Sequence, residues 1–269
     1  MTWTLGVIGC GKMSHAFLQG ICRSVGQDLE SICIYDPDES RLRLFEADFK
    51  AVTVSKADLI ARSDLIILGV KPNQVREALE DTLVYWHEDK ILLSIAAGVR
   101  SSYLEQLFSD RVPRVIRAMP NTPCLVGEGM VALCAGRSAN AADLVRVESL
   151  FLASGKAIIV KEQDMDAVTA VSGSGPAYVF LVVEAMIDAA VNVGLSSAVA
   201  RELVLQTVKG SVLMLEASGE HPALLKQQVS SPGGTTIAGL RELEAHGIRQ
   251  AFFDAVEAAC NRSIELGKK

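Results

Sequence analysis

An α/β domain followed by an all-α domain is the fold class that this sequence predicts, and two features predict it. As far as about residue 160, short apolar runs alternate with amphipathic stretches, as expected of parallel strands that are covered on both faces. Beyond that point only helical spacing occurs, and glycines punctuate it. The sequence therefore predicts a doubly wound sheet in residues 1–162 and a helical domain in residues 163–269.

The same periodicities predict the individual elements. Five apolar runs are predicted as buried strands, and two further segments are candidate strands: Leu5–Ile8, Ile32–Tyr35, Leu65–Val70, Ile91–Ile95 and Ala157–Val160, then Val115–Arg117 and Gly129–Cys134. Helices are predicted between them over Met13–Val25, Arg41–Phe49, Lys56–Ala61, Asn73–Glu80, Ser101–Phe108 and Ala141–Phe151. In the second domain, helices are predicted over Asp164–Val171, Ala177–Val193, Ser197–Ala217, Pro222–Val229, Thr235–His246 and Arg249–Leu266.

Composition narrows the classes of function. Apolar residues make up 49% of the chain, enough for a sizeable core. A formal net charge of −6, with no Lys/Arg cluster, argues against nucleic acid or an anionic membrane as the main partner. The six cysteines have no zinc-site spacing, so no metal and a reducing cytoplasm are expected. Neither a signal peptide nor a membrane span is expected, because the chain has no basic start and no run of about 18 apolar residues.

The long helix predicted after residue 176 is apolar on almost all sides. Only Glu184, Asp188 and Asn192 interrupt the segment Pro176–Leu195. Such a helix must be buried on most faces, and a domain of this size has little interior, so we expect a partner subunit to cover it. A helix inside the domain's own core is the first alternative. A membrane helix is the second, and the regularly placed acids disfavour it.

The first predicted strand runs into a glycine turn that opens a helix, Gly9-Cys10-Gly11-Lys12-Met13-Ser14. This is the Rossmann dinucleotide-binding arrangement, in which one glycine makes the tight turn and a second lets the pyrophosphate approach the backbone. Ser14 stands where the pattern has its third glycine. The alternating α/β context makes the turn a predicted nucleotide site.

Asp36 directly follows the second predicted strand, at the position where a Rossmann domain contacts the adenosine ribose. A carboxylate at this place accepts from the 2′-hydroxyl and repels a 2′-phosphate, so Asp36 favours NAD locally. We expect Asp36→Ser to raise the affinity for NADP(H) relative to NAD(H). An ordinary turn acid is the alternative, and Arg41, Arg43 and Lys56 could supply positive charge.

Two later strand ends, Val70-Lys71-Pro72-Asn73 and Ala96-Ala97-Gly98, also predict contact with a cofactor. Ligands of open α/β sheets lie beyond the carboxyl ends of the strands, and small residues there let a flat nicotinamide ring lie against the backbone. Ordinary strand-to-helix turns are the alternative.

The run Ser230-Ser231-Pro232-Gly233-Gly234-Thr235-Thr236 predicts an anion site at a helix start. The glycine pair leaves room beside unpaired helix N–H groups, and hydroxyls surround them, so the site suits one carboxylate. The alternative is a plain helix start capped by Ser231 or Thr235.

Three segments in this order make the sequence resemble the pyrroline-5-carboxylate reductase family over residues 5–266. They are Arg117-Ala118-Met119-Pro120-Asn121-Thr122-Pro123, then Val171-Ser172-Gly173-Ser174-Gly175-Pro176-Ala177-Tyr178, then the glycine-pair run above. The resemblance implies NAD(P)H-dependent reduction of 1-pyrroline-5-carboxylate to L-proline, the last step of proline biosynthesis. It also implies a homodimer with its active site at the dimer contact, and assembly of five dimers into a decamer.

The resemblance also implies roles for individual residues. The implied cofactor contacts are Ile8, Gly9, Cys10, Gly11, Lys12, Met13, Asp36, Lys56, Gly69, Val70, Lys71, Pro72, Ile95, Ala96, Ala97 and Gln228. The implied substrate contacts are Glu162, Ser231, Gly234, Thr235 and Thr236, with Thr236 as the catalytic hydroxyl facing the ring nitrogen. NADPH is the family's usual cofactor, and Asp36 departs from the neutral residue often found there.

Two other functions compete with this interpretation. A β-hydroxyacid dehydrogenase would carry a catalytic lysine after the domain junction, and neither Lys161 nor Lys209 has a matching context. A non-catalytic dinucleotide sensor would need no carboxylate site. The four histidines lie in a helix, a loop and two helix boundaries, where surface or capping roles are expected.

Overall fold

A computed structural model describes residues 3–25, 29–108 and 112–267, without the side chains of residues 24 and 25. The chain divides into two compact units. The sheet unit comprises Met1–Ser174 and Ala258–Lys269, and the helical unit comprises Gly175–Glu257.

Eight strands form one sheet in the order β3-β2-β1-β4-β5-β6-β7-β8. They are β1 (Trp3–Ile8), β2 (Leu29–Tyr35), β3 (Val52–Thr53), β4 (Leu65–Leu68), β5 (Ile91–Ser94), β6 (Arg114–Pro120), β7 (Gly129–Ala135) and β8 (Gly155–Ile159). All neighbouring strands are parallel except β6 and β7. The strand order reverses direction between β1 and β4, which makes the crevice beside them the expected ligand site of a doubly wound sheet.

The helices of the sheet unit lie between the strands in sequence, except the last, which follows β8. They are α1 (Lys12–Val25), α2 (Glu39–Phe49), α3 (Lys56–Arg62), α4 (Val75–Leu79), α5 (Ser101–Gln106), α6 (Ala141–Glu148) and α7 (Met165–Val168). Strand β4 shows how they cover both faces of the sheet, because Leu65 and Ile67 join one buried apolar cluster while Ile66 and Leu68 join another. The predicted doubly wound fold is confirmed.

All seven predicted strands are found, with differences at their ends. Strands β4 and β5 end at Leu68 and Ser94, before their predicted ends, because the chain leaves the sheet there for the loops of the site. The two-residue strand β3 was not predicted. Strands β6 and β7 pair antiparallel because a short 3₁₀ turn, Thr122–Val126, joins them, and a parallel pair needs a longer crossover.

The stretch that precedes the helical unit is less regular than predicted. The predicted helix Asp164–Val171 comprises a 3₁₀ turn (Glu162–Asp164), then α7, then a π-helical turn (Thr169–Gly173). Met165 packs against β7 with Ala132 and Cys134. The compact sheet unit therefore extends beyond residue 162, where the sequence predicts the domain boundary.

The helical unit contains α8 (Gly175–Asn192), α9 (Ser197–Ser218), α10 (Pro222–Gln228), α11 (Thr235–Ala245) and most of α12 (Ile248–Leu266). No residue of α8 is buried, and Phe180 and Leu181 are each 64% exposed. The continuous helical run Glu162–Asn192 is long and apolar enough to cross a membrane by length and composition alone, a test that core helices also pass. The described residues therefore leave much of its apolar surface exposed.

Candidate active site

The turn after β1 requires glycine for one reason at Gly9 and another at Gly11. Gly9 has φ +95°, and a Cβ there would lie 2.8 Å from the carbonyl carbon of Gly69. A Cβ on Gly11 would meet no described atom within 4 Å. The first glycine is therefore needed by the fold, whereas the second leaves open space at the start of α1, where a pyrophosphate can approach.

Ser14 shows how the loop tolerates the loss of the third glycine. Its side chain is buried, and its Oγ has no hydrogen-bond partner among the described residues. The same hydroxyl fills the space that a side chain at Gly69 would need. Glycine at position 69 thus makes room for serine at position 14.

Backbone hydrogen bonds bring three predicted cofactor loops to one edge of the sheet. The N–H of Gly9 donates to the Tyr35 carbonyl, that of Gly69 to Ile8 (2.9 Å each), and that of Ile95 to Leu68 (3.1 Å). Segments 8–13, 69–72 and 95–97 therefore follow adjacent parallel strands, and Pro72 begins a 3₁₀ turn. Their shared edge is the crevice at which the strand order reverses.

Asp36 is tied to the loop instead of lying open for a ribose. Its Oδ2 accepts from the Cys10 N–H (2.7 Å), its Oδ1 accepts from the Asp38 N–H (2.9 Å), and its side chain is only 3% exposed. Arg41 covers it, with Nη1 3.6 Å from Asp36 Oδ2 and Nε 3.2 Å from Asp38 Oδ2. The half-exposed guanidinium of Arg41 therefore places a positive charge at this edge, beside the carboxylates of Asp36 and Asp38.

Lys56 is also engaged within the sheet unit. Its ammonium pairs with Asp81, just beyond α4, and lies 3.4 Å from the carbonyl oxygen of Ala78 in the last turn of α4. It stands 5.6 Å from the centre of the Tyr35 ring. This placement holds the lysine close to the end of β2, while its charge is partly balanced by Asp81.

Glu162 forms the centre of a half-buried polar cluster. One oxygen accepts from the Ser101 N–H (2.7 Å) and from Arg117 Nη1 (2.8 Å), and the other accepts from the Ser101 hydroxyl. Burial raises the pKa of the Glu162 carboxyl, but the hydrogen bonds from Ser101 and Arg117 outweigh it and hold that pKa below its usual value. The carboxylate therefore fixes the start of α5 to β6.

The start of α11 in the helical unit lacks a side-chain cap. Gly234 is the N-cap residue, and no side-chain oxygen accepts from the first helical N–H groups. None of the hydrogen bonds found among the described residues uses the hydroxyls of Ser231, Thr235 or Thr236. The alternative of a helix start capped by Ser231 or Thr235 is thus wrong, and donors remain free there to bind an anion.

The tip of α11 is shaped by its glycines. Gly233 has φ +68°, and the Ser231 hydroxyl lies where a Cβ on Gly234 would be. A groove of about 810 Å³ runs beside it, with Ser230, Gly234 and Ile237 in its wall. Gln228, the last predicted cofactor contact, lies in this unit and donates through Nε2 to Glu220 (3.1 Å).

Two residues of the cluster around the strand ends were not selected from the sequence. Arg117 is 5% exposed and pairs with Glu162. Asn121 accepts from the Met130 N–H (2.9 Å) and donates through Nδ2 to the Ser172 carbonyl (3.3 Å), which joins two of the three motif segments. Both residues belong to the motif segment at residues 117–123, in which no single side chain was assigned a role from the sequence. Within the described ranges, no group of three His, Cys, Asp or Glu side chains could hold a metal ion.

A glycine loop at the reversal point of a doubly wound sheet defines the class of protein as dinucleotide-binding. Two family models match, "NADP oxidoreductase coenzyme F420-dependent" over residues 4–98 and "Pyrroline-5-carboxylate reductase dimerisation" over residues 162–266. The pyrroline-5-carboxylate reductase of a Synechocystis strain is 40% identical over all of both chains.

Two solved structures are similar over nearly the whole chain. One is the Plasmodium falciparum pyrroline carboxylate reductase with NADP bound, at 36% identity, 98% coverage of each chain and a TM-score of 0.88. The other is a pyrroline-5-carboxylate reductase from Coxiella burnetii, at 32% identity, 100% coverage of each and a TM-score of 0.90. The chain belongs to the pyrroline-5-carboxylate reductase family, whose members are NAD(P)-dependent oxidoreductases.

Proposed function

We propose that this chain reduces 1-pyrroline-5-carboxylate to L-proline with NADPH, the last step of proline biosynthesis, as a homodimer in the cytoplasm. The observation that carries the proposal is the uncapped start of α11, where free hydroxyls surround free backbone donors. A neutral donor cluster of this size suits a small carboxylate.

The sheet unit supplies the nucleotide half of the site. The open space at Gly11 and the adjacent loops 69–72 and 95–97 fit a dinucleotide laid along the carboxyl ends of β1, β4 and β5. When bound there, the nicotinamide supplies a hydride. The backbone around Gly69 and Ala96–Ala97 then fixes the plane of the ring, because these small residues allow a close approach.

The helical unit supplies the substrate half. The N–H groups of Thr235 and Thr236, with the hydroxyl of Ser231, hold the substrate carboxylate at the positive end of the helix. Fixing the carboxylate fixes the small ring to which it is attached, and rate enhancement comes mainly from holding the reacting atoms about 3–3.5 Å apart. Glu162 belongs to the substrate contacts that the resemblance implies.

Thr236 handles the ring nitrogen. An imine that carries a proton is already electrophilic, so the reaction needs little acid catalysis beyond a group that supplies or holds that proton. The Thr236 hydroxyl can donate to or accept from the nitrogen. This role requires no strong base, in keeping with histidines that face other partners, such as His15 at Asp48 and His221 at its own helix start.

The apolar surface of the helical unit supports the dimer. Phe180 and Leu181 are exposed on α8, within the 162–266 region that the family model describes as a dimerisation segment. A second copy of the chain would cover this surface. Assembly of five such dimers into a decamer is the larger form that we propose.

The test is turnover of pyrroline-5-carboxylate by the purified protein, followed by the loss of absorbance of NADPH and, separately, NADH. Turnover that consumes the substrate and yields proline is expected, with NADPH preferred. A protein that leaves pyrroline-5-carboxylate unreduced but oxidises a β-hydroxyacid with NADP would instead support the dehydrogenase alternative.

Two neighbouring serines give a matched pair for the substrate half. Ser231 has a free hydroxyl, whereas the Ser230 hydroxyl already donates to the Lys226 carbonyl (2.7 Å). Ser231→Ala is expected to raise the KM for pyrroline-5-carboxylate about tenfold, the scale of one hydrogen bond to a charged group, and Ser230→Ala to leave it unchanged. Equal effects of the two variants would contradict the proposed anion site.

A further inference from the structure

The end of the last helix lies against the loop that follows β5. Gly98 has φ +76°, and a Cβ there would lie 3.2 Å from Leu266 Cβ and 3.3 Å from the Gly267 nitrogen. In return, a Cβ on Gly267 would lie 2.5 Å from the Gly98 carbonyl oxygen. Two glycines thus allow the backbone of the loop to come close to the end of α12, where a side chain at either position would meet backbone atoms.

A partly buried hydrogen bond holds this end of α12 against α7. Ser263 is 3% exposed, and its hydroxyl donates to Asp166 Oδ1 (2.6 Å). Asp166 lies on α7, whose Met165 is buried against β7. Movement of Asp166 relative to the sheet is therefore restricted, and so is movement of the α12 turn that it holds.

The other end of the loop that follows β5 is held by a residue that directly precedes α7. The loop leads into α5, whose Ser101 N–H and hydroxyl both donate to Glu162. Glu162 lies in the 3₁₀ turn that leads directly into α7, and Asp166 lies in α7 itself. Two carboxylates four residues apart in the chain thus hold the loop, one directly at Ser101 and one through Ser263 and α12.

We infer that Asp166, Ser263 and Gly267 are positioning residues that hold the backbone of Ile95–Gly98 at the distance that hydride transfer requires. The inference rests on the proposed function in one respect, since it takes this loop to flank the nicotinamide. A displacement of about 1 Å in a reacting group can cost about 100-fold in rate. None of the three residues needs to touch substrate or cofactor for this effect.

The test compares Ser263→Ala and Asp166→Ala with the control Arg262→Ala. Arg262 lies in the same turn but pairs with Glu265 on the surface, where both side chains are about 60% exposed. Ser263→Thr keeps the hydroxyl and serves as the conservative variant. The measurements are kcat, both KM values, the Kd of NADPH, and the isotope effect on kcat with NADPH deuterated at the transferred position.

Loss of the anchor is expected to lower kcat about 10- to 100-fold and to raise the isotope effect, because hydride transfer becomes slower than product release. The Kd of NADPH should stay within about threefold of the wild-type value. Ser263→Thr should recover much of the rate, and Asp166→Ala with Ser263→Ala should cost little more than either alone. Wild-type kcat in the single variants, or a loss that matches only a smaller folded fraction, would overturn the inference.

Hydrogen exchange separates this inference from the proposed function. If the wild-type protein does not turn over pyrroline-5-carboxylate, the proposed function fails, and amide exchange in residues 96–100 then decides the inference. Faster exchange there in Ser263→Ala than in Arg262→Ala would support a loop held by α12. Equal exchange would reject it.

Discussion

At the residue scale, the hydroxyl of Thr236 carries the most chemistry in the proposed reaction. Thr236→Ala should lower kcat/KM about 100-fold, the usual scale for a positioned proton-transfer group. Thr236→Ser should retain most of the activity because it keeps the hydroxyl on the same turn. The measurement is steady-state kinetics of both variants. Near wild-type rates for Thr236→Ala would show that the hydroxyl does not act on the ring nitrogen.

The placement of Asp36 changes what its substitution should do. Its carboxylate holds the Cys10 N–H and is shielded by Arg41, so Asp36→Ser is now expected to weaken NADPH and NADH alike, about tenfold, by loosening the loop. Arg41→Ala should weaken NADPH selectively, because it removes the half-exposed cation. Fluorescence titrations of both cofactors measure the two ratios. A shift toward NADPH in Asp36→Ser would restore Asp36 as the residue that reads the ribose.

The sequence predicted the glycine turn after β1 better than it predicted the hydrogen-bond partners around it. Glycines 9 and 11 were recognisable because a turn between a strand and a helix constrains them locally. The bond from Cys10 to Asp36 and that from Ser101 to Glu162 join residues far apart in the chain. Such pairs depend on how the strands are ordered, which periodicity does not reveal.

At the element scale, Glu162 fastens the start of α5 to the segment after β8, and this contact is pH-dependent. Because the native pKa of Glu162 is lowered, its stabilising effect is complete above the ordinary value of 4.5 and is lost as the pH falls through the lower native value. Glu162→Gln should therefore lower the Tm at pH 7 by a few degrees, and the difference should shrink in acid.

Thermal unfolding of Glu162→Gln and wild type across the acid range checks this prediction. Glu265→Gln is the control, since Glu265 is an exposed acid paired only with Arg262. A stability difference that persists unchanged into strong acid would mean that the charge of Glu162 is not what holds α5.

The loop after β1 allows folding and cofactor binding to be separated. Gly11→Ala has room for its methyl group, so the Tm should be unchanged while the affinity for NADPH falls at least about tenfold, since the methyl group occupies space that the pyrophosphate needs. Gly9→Ala should lower the Tm, because of its positive φ and the contact with Gly69. Thermal unfolding and NADPH titration distinguish them. A normal affinity in Gly11→Ala would contradict the placement of the pyrophosphate.

The elements themselves were predictable where burial is continuous. Strand β4 is apolar throughout and lies in the middle of the sheet, whereas β3 has two exposed residues and no apolar pattern to reveal it. The reversal of β7 was not predictable from strand composition, because a central antiparallel strand is as apolar as a parallel one.

At the scale of the whole molecule, the exposed apolar face of α8 predicts obligatory association. Phe180→Glu should convert the dimer to a monomer, because a charge in a buried apolar contact costs several kcal/mol, and should lower activity in parallel. Val84→Glu is a matched control, since Val84 is 74% exposed on the sheet unit. Sedimentation velocity at micromolar concentration measures both. A dimeric Phe180→Glu would exclude this face from the interface.

The limits of the two units illustrate why whole-molecule organisation is harder to predict than its parts. Strand periodicity stops near residue 160, yet α7 and the end of α12 pack with the sheet unit. Helical spacing reports the local conformation of a segment and carries no information about which neighbour it packs against.

The pairing of Ser14 with Gly69 links two sites that any change to this protein must treat together. Because the serine hydroxyl takes up the volume above position 69, a larger residue at 69 is tolerated only after position 14 shrinks. Glycine at position 14 would remove the closest of these contacts, and a Cβ at position 69 would then still lie 3.1 Å from the Gly9 carbonyl oxygen. A change at position 69 is therefore costly on its own and less costly once position 14 has changed.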